Sequence, residues 1–169
     1  MREIIVIAEN VRSIHNVGSL LRTAEGLGCT KVYLTGYTPY PQQNNDQRLP
    51  HQSEKLTRQI NKTALGAEKI AIYQPDINAV IKNLRKDGYS IIALEQSETS
   101  VDINSFNPPD KCALIVGNEV KGVSKETIKQ SDTVLEIPMF GNKESFNVVQ
   151  SAAMASVAPP KPSYRPRLP

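Results

Sequence analysis

Short apolar, β-branched runs recur along the chain at Ile4 to Ile7, Val32 to Leu34, Ile70 to Tyr73, Ile91 to Leu94, Ala113 to Val116 and Val134 to Ile137. Runs this short, bounded by polar residues, predict buried β-strands. Between them the period changes. Val17, Leu20, Leu21, Ala24 and Leu27 recur at offsets of three and four, which places them on one face of a helix. Asn16 is a candidate cap for its start and Gly28 for its end. A second helix is predicted from Asp76 as N-cap through Ile77, Val80, Ile81 and Leu84, with Gly88 just past its end. A third opens at Ser145 and turns Phe146, Val149, Ala153 and Val157 inward. Strands alternating with helices predict an α/β fold, a mostly parallel sheet with helices on both faces.

Two segments break the rhythm. Residues 36 to 61 are rich in Gln, Asn, Pro and charge and read as a long functional loop with a short helix near Glu54 to Ile60. Residues 159–169, PPKPSYRPRLP, are proline-rich and basic and read as an extended tail following a domain of residues 1–158. A chain of 169 residues fits one such domain.

Composition narrows the function. No stretch reaches the roughly 20 apolar residues that span a bilayer, and the N-terminus suits a first strand better than a signal peptide. A cytoplasmic protein without a membrane partner is expected. Cys29 and Cys112 stand alone, without metal-ligand or disulfide spacing, so buried thiols and no metal are expected. The net charge of +3 is mild, but basic residues gather at Arg48, Lys55, Arg58 and Lys62 and again at Lys161, Arg165 and Arg167. Such clusters suit RNA phosphates, with Arg48, Lys55, Arg58 and Arg165 as candidates, and equally suit a solvated face.

Three polar clusters lie where strands end and helices begin, the edge at which open α/β sheets bind ligands. HNVGSLLRTAEGLG (15–28) offers Asn16 at a helix start, Gly18 where a close approach is allowed, and Arg22 off the apolar stripe. LIVGNEVKGVS (114–124) delivers Gly117, Asn118 and Glu119 into a turn, with neither the GxGxxG spacing of a dinucleotide fold nor a P-loop. LEIPMFGNKESFNVVQ (135–150) leads through a loop to Ser145 and Asn147 in the first turn of the last helix. Singly, these are also explained by a capped helix with a solvated arginine, a β-turn, and an ordinary cap on a packing helix.

Together and in this order they resemble the SpoU/TrmH family of SPOUT-class RNA ribose methyltransferases. The resemblance rests on Asn16 with Arg22, the GNE turn Gly117 to Glu119, Ile137-Pro138-Met139, and Ser145-Phe146-Asn147, where Phe146 stands for the usual leucine. KTALGAE at 62–68 extends it. It implies a C-terminal deep trefoil knot, an exception to the rule that chains avoid knots. It also implies S-adenosyl-L-methionine held by backbone at Leu94, Gly117, Ile137 and Met139, with Phe146 beside the adenine and Ser145 and Asn147 near the methionine end. By the same resemblance Arg22 is catalytic, holding a phosphate and the charge growing on the attacking oxygen, while Asn16, Glu119, Ser145 and Asn147 position the reacting groups. The knot helices form a homodimer in this family, which would place Phe146, Val149 and Ala153 between core and interface. The resemblance starts at the first strand without a preceding RNA-binding domain, and on that ground transfer RNA is expected ahead of ribosomal RNA. Two other classes compete: a catalytically silent RNA-binding or ribosome-associated protein of the same fold, and a nucleotide-binding α/β regulator. The complete set Asn16, Arg22, Glu119, Ser145 and Asn147 favours the enzyme.

Overall fold

The computed structural model describes residues 2–157; the tail 159–169, with Arg165, lies outside them. Seven strands form one sheet in the order β3-β2-β1-β6-β4-β7-β5: β1 Glu3–Glu9, β2 Val32–Thr35, β3 Ala71–Tyr73, β4 Ser90–Leu94, β5 Val101–Asp102, β6 Lys111–Val116 and β7 Thr133–Glu136. Every pairing between them is parallel. β1 lies inside the sheet beside the central β6, with Val6 opposite Val32 on one side and Leu114 on the other.

Because side chains alternate across a strand, β1 serves two cores. Val6 and Ala8 join Val32, Leu34 and Val116 under helices α1 (Ile14–Gly26), α2 (Pro50–Ala64) and α5 (Val148–Ser156). Ile5 and Ile7 join Ile91, Ala93, Ala113 and Ile115 under α3 (Ile77–Lys86), with Ile128 of α4 (Lys125–Gln130) packed against them. Burial of these aliphatic side chains, at about 1.5–3 kcal/mol each, is the main source of stability. Cys29 and Cys112 are buried as free thiols. Burial, reinforced by Cys112, pushes the Cys29 thiol up to about 11. Among the described residues no helix is long and apolar enough to cross a membrane, and no group of three or more His, Cys, Asp or Glu could hold a metal ion.

Four local readings of the sequence are corrected. The cap of α1 is Ser13, whose side chain accepts from the Asn16 N–H, so Asn16 sits inside the first turn. The supposed long loop contains the fifteen-residue helix α2, which opens with Pro50 in its first turn. The cap of α5 is Asn147, accepting from the Val149 N–H, and Ser145 precedes the helix. The buried face of α5 is Val148, Ala152 and Ala155; Val149 and Ala153 are half-buried and Phe146 and Val157 exposed. The expected α3, by contrast, is present with Asp76 as its cap and Val80, Ile81 and Leu84 buried.

Candidate active site

In a parallel sheet all strands end on one edge, and the loops after β1, β2, β4, β6 and β7 gather there. Of these, the segments after β1, β4, β6 and β7 surround a cleft of about 560 Å³. Asn16, Leu94, Gly117, Glu119, Ile137, Met139, Ser145, Phe146 and Asn147, separated by up to 131 positions, all line it.

A directed hydrogen-bond chain joins the three clusters. Asn147 Nδ2 donates to Asn16 Oδ1 at 3.2 Å, and Asn16 Nδ2 donates to Glu119 Oε1 at 2.9 Å. The direction has a cause: an ionised carboxylate only accepts, so Asn16 must turn its amide nitrogen to Glu119 and its oxygen to Asn147. Asn147 is fixed at its other end, where Oδ1 caps α5. Glu119 also accepts the backbone N–H of Arg12 at 2.9 Å and of Ser13 at 3.0 Å. Desolvation raises its pKa, but the hydrogen bonds from Arg12, Asn16 and Ser13 outweigh it and hold the carboxyl below its ordinary value.

The turn carrying Glu119 is built by its neighbours. Asn118 and Gly122 exchange backbone hydrogen bonds at 3.1 and 2.9 Å, and Gly122 takes φ +67, which favours glycine. A Cβ on Gly117 would run into the backbone of Gly122 and Val123. Gly117 is therefore required first by its own turn, and only then by anything bound in the cleft. Glu95, which sequence reasoning missed, braces the far side: its Oε2 accepts the Val123 N–H at 2.8 Å and its Oε1 the Gln96 N–H at 3.0 Å. Its signal was available as a carboxylate directly after a buried strand. Glu9, at the end of β1, is likewise buried and accepts from Ser124 N–H and Thr127 Oγ1.

Arg22 does not join the cleft. It lines a neighbouring one of about 650 Å³ with His15, Ser19, Lys62 and Ala153. The spacing explains this: six residues at about 100° each carry Arg22 roughly 120° away from Asn16 around the helix. Gly18 is also reassigned, because a Cβ there would overlap Thr63 and the Ile60 carbonyl, so the close approach it allows is that of α2. Lys55 and Arg58 are exposed on α2. Arg48 is committed elsewhere: its Nε donates to Asp46 at 2.8 Å, and its guanidinium lies 3.6 Å from the centre of the Tyr40 ring. Asp46 is held well below the carboxylate range by that side-chain bond.

The SpoU rRNA Methylase family profile matches residues 3–157. The chain belongs to this family. It is 31% identical over 153 residues to the 23S rRNA (guanosine-2'-O-)-methyltransferase RlmB of Neisseria meningitidis, covering 89% of this chain and 55% of that protein. It is 29% identical over 149 residues to the tRNA (guanosine(18)-2'-O)-methyltransferase of Aquifex aeolicus, covering 87% and 64% respectively. It thus spans little more than half to about two thirds of these relatives' lengths. Among solved structures, the A. aeolicus TrmH/SpoU tRNA modifying enzyme superposes with a TM-score of 0.74 at 23% identity, over 92% of this chain and 73% of that one. The SpoU methyltransferase AviRb from Streptomyces viridochromogenes, solved in complex with AdoMet, gives 0.73 at 20% identity over 91% and 55%. These likenesses establish the fold.

Proposed function

We propose that this chain transfers a methyl group from S-adenosylmethionine to a ribose 2′-hydroxyl of RNA, acting as a cytoplasmic homodimer. The observation that carries this reading is the meeting of three sequence-distant motifs on one cleft, tied together by the Asn147–Asn16–Glu119 chain. The cleft fits the cofactor: its size lies in the range of small-ligand sites, about 300–1,000 Å³, and apolar Leu94, Ile137 and Met139 line it beside the backbone of Gly117. When bound, S-adenosylmethionine supplies a methyl carbon already activated by its sulfonium.

The protein's own tasks are alignment and charge. Leu94, Gly117, Ile137 and Met139 would hold the adenosine part and Phe146 cover the adenine, with Ser145 and Asn147 at the methionine end. Asn16 and Asn147 are pre-oriented by Glu119, which limits the reorganisation needed when reactants align. Glu119 positions and does not take the proton, since four donors, including its own backbone N–H, hold it ionised. Arg22 would hold the phosphate beside the target ribose and stabilise the charge developing on its 2′-oxygen, the proton passing to a phosphate oxygen or water. A guanidinium stays protonated in proteins and is not itself the acceptor.

The separation of Arg22 from the cleft favours the dimer. Half-buried Val149 and Ala153 and exposed Val157 form a second stripe along α5 and its C-cap, with Val149 also packed against the core, and Ala153 lies in the Arg22 cleft. A second copy seated on this stripe would bring Arg22 of one protomer to the cleft of its partner. The reading includes the family's trefoil knot, supported by the convergence of the loops after β4, β6 and β7, where Gln96 Nε2 donates to the Glu144 carbonyl at 3.4 Å.

The experiment is transfer of labelled methyl to transfer RNA and to ribosomal RNA, transfer RNA first, with the modified nucleotide mapped by its resistance to alkaline cleavage. Label in an alkali-resistant linkage is expected. Label only on bases, or in no RNA at all, would overturn the reading.

A further inference from the structure

Beside the cleft an aromatic ring is held outward by polar bonds at its rear. Tyr37 follows Gly36, whose φ of +62 turns the chain sharply after β2. The residue is 59% exposed, yet its hydroxyl oxygen accepts from Asn118 Nδ2 at 3.0 Å and its backbone N–H donates to Asn10 Oδ1 at 3.2 Å. Asn118 is itself buried and fully used. Its other amide hydrogen goes to the Asn10 carbonyl at 2.8 Å, and its oxygen accepts the N–H of both Val120 and Lys121 at 2.9 Å. The tyrosine is thereby clamped to the turn that carries Gly117 and Glu119 into the cleft.

An exposed aromatic pinned at its polar tip presents a flat face that loses little freedom on contact. Charge points the same way. Arg12 and Lys121 are exposed, their side chains make no hydrogen bond or ion pair among the described residues, and they stand in the two loops fastened to this turn. An exposed aromatic face on a turn that also carries unpaired cations suits unpaired nucleotides, the ring stacking on a base and the cations meeting phosphates.

We propose that Tyr37, on the turn to which Arg12 and Lys121 are also tied, is a stacking platform for an unpaired nucleobase of the RNA at the mouth of the cleft. This rests on the reading of the protein as an RNA methyltransferase and adds where a base beside the reacting ribose is held.

The chain contains no tryptophan, so Tyr37→Trp in the full-length protein puts a single indole reporter at the site. With total transfer RNA and with poly(A) as probes, its fluorescence should be quenched saturably, in step with RNA retention measured on filters. Tyr37→Ala should weaken RNA retention by about tenfold or more, the usual loss on removing one stacked base, while S-adenosylmethionine affinity stays near wild type. Tyr37→Phe, which keeps the ring and gives up the clamp, should fall between them. An unquenched indole at saturating RNA would overturn the platform, as would wild-type RNA affinity in Tyr37→Ala. A parallel loss of cofactor affinity in Tyr37→Ala would also overturn it, marking the residue as a brace for the turn. If the wild-type protein methylates RNA while any of these occurs, only the platform falls; if it neither binds nor methylates RNA, both fall.

Discussion

Glu119 stands where a proton acceptor would be sought, and its surroundings give it another task. Three donors outside its own residue converge on its two oxygens, so the carboxylate fixes the start of α1 and the direction of the Asn16 amide. Its lowered pKa has a consequence with a definite sign. A carboxyl depressed in the folded state contributes stability that is complete above its ordinary value of 4.5 and lost as pH falls through the folded value. Glu119→Gln should cost about 1 kcal/mol at neutral pH, the low end for bonds to a charge because the group is solvent-exposed. Urea midpoints followed downward from neutral pH should therefore converge for wild type and variant in acid; a constant gap would remove the carboxylate from this role. On the proposed reading Arg22 acts on the transition state and not on the fold. Arg22→Ala should leave S-adenosylmethionine affinity nearly unchanged while single-turnover methyl transfer falls at least about a hundredfold. Arg22→Lys should recover little, because a point charge does not reproduce a planar fork. Calorimetry and single-turnover assays separate the two effects.

At the scale of elements, the contact of α1 with α2 is set by one missing side chain. Gly18→Ala would drive a Cβ into the Ile60 carbonyl and Thr63, and overpacking of this kind costs about 1–3 kcal/mol. Gly26, in the same helix, has nothing within 4 Å of the added carbon, so Gly26→Ala should be neutral or stabilising by up to about 1 kcal/mol. Urea unfolding of the pair tests the packing against helix propensity. The same two helices show what a sequence reveals. The strands of the core were legible as apolar runs and α1 as a stripe of apolar residues three and four apart. Helix α2 was legible only in its middle, near Glu54 to Ile60, since it buries only Ser53, Ile60 and Ala64 fully. The cleft residues could be collected from their motifs, but not the separation of Arg22, which depends on the turn of the helix, nor Glu95 and Tyr37, whose roles come from loops brought together by the sheet. The face of α5 was misjudged because both stripes, Val148-Ala152-Ala155 and Val149-Ala153-Val157, satisfy a helical period. A helix apolar on two sides has two neighbours to meet.

At the scale of the molecule, the proposed reading makes that second stripe the face that meets a second copy. Val157 is 59% exposed and adds nothing to the monomer core, so Val157→Asp should leave the fold intact and weaken self-association, because a buried unpaired carboxylate is costly only once a partner covers it. Sedimentation should find a dimer at micromolar concentration for wild type and mainly monomer for the variant, with methyl transfer lost in parallel. A dimeric variant, or a wild-type monomer with full activity, would refute the interface assigned to α5.

The strand order has a further consequence for how the chain is made. β3, β2 and β1 can pair as soon as residues 3 to 73 have left the ribosome. β4, however, finds no partner among them, because it pairs only with β6 and β7. Until Lys111 arrives to meet Glu3, roughly a hundred residues and, at about 5–20 residues per second, some 5 to 20 s later, β1 is an open edge with unmatched peptide groups. Such an edge recruits foreign strands. A strand buried inside the finished sheet is thus a vulnerable one of the nascent chain, and the interval before β6 emerges is when a chaperone would matter most.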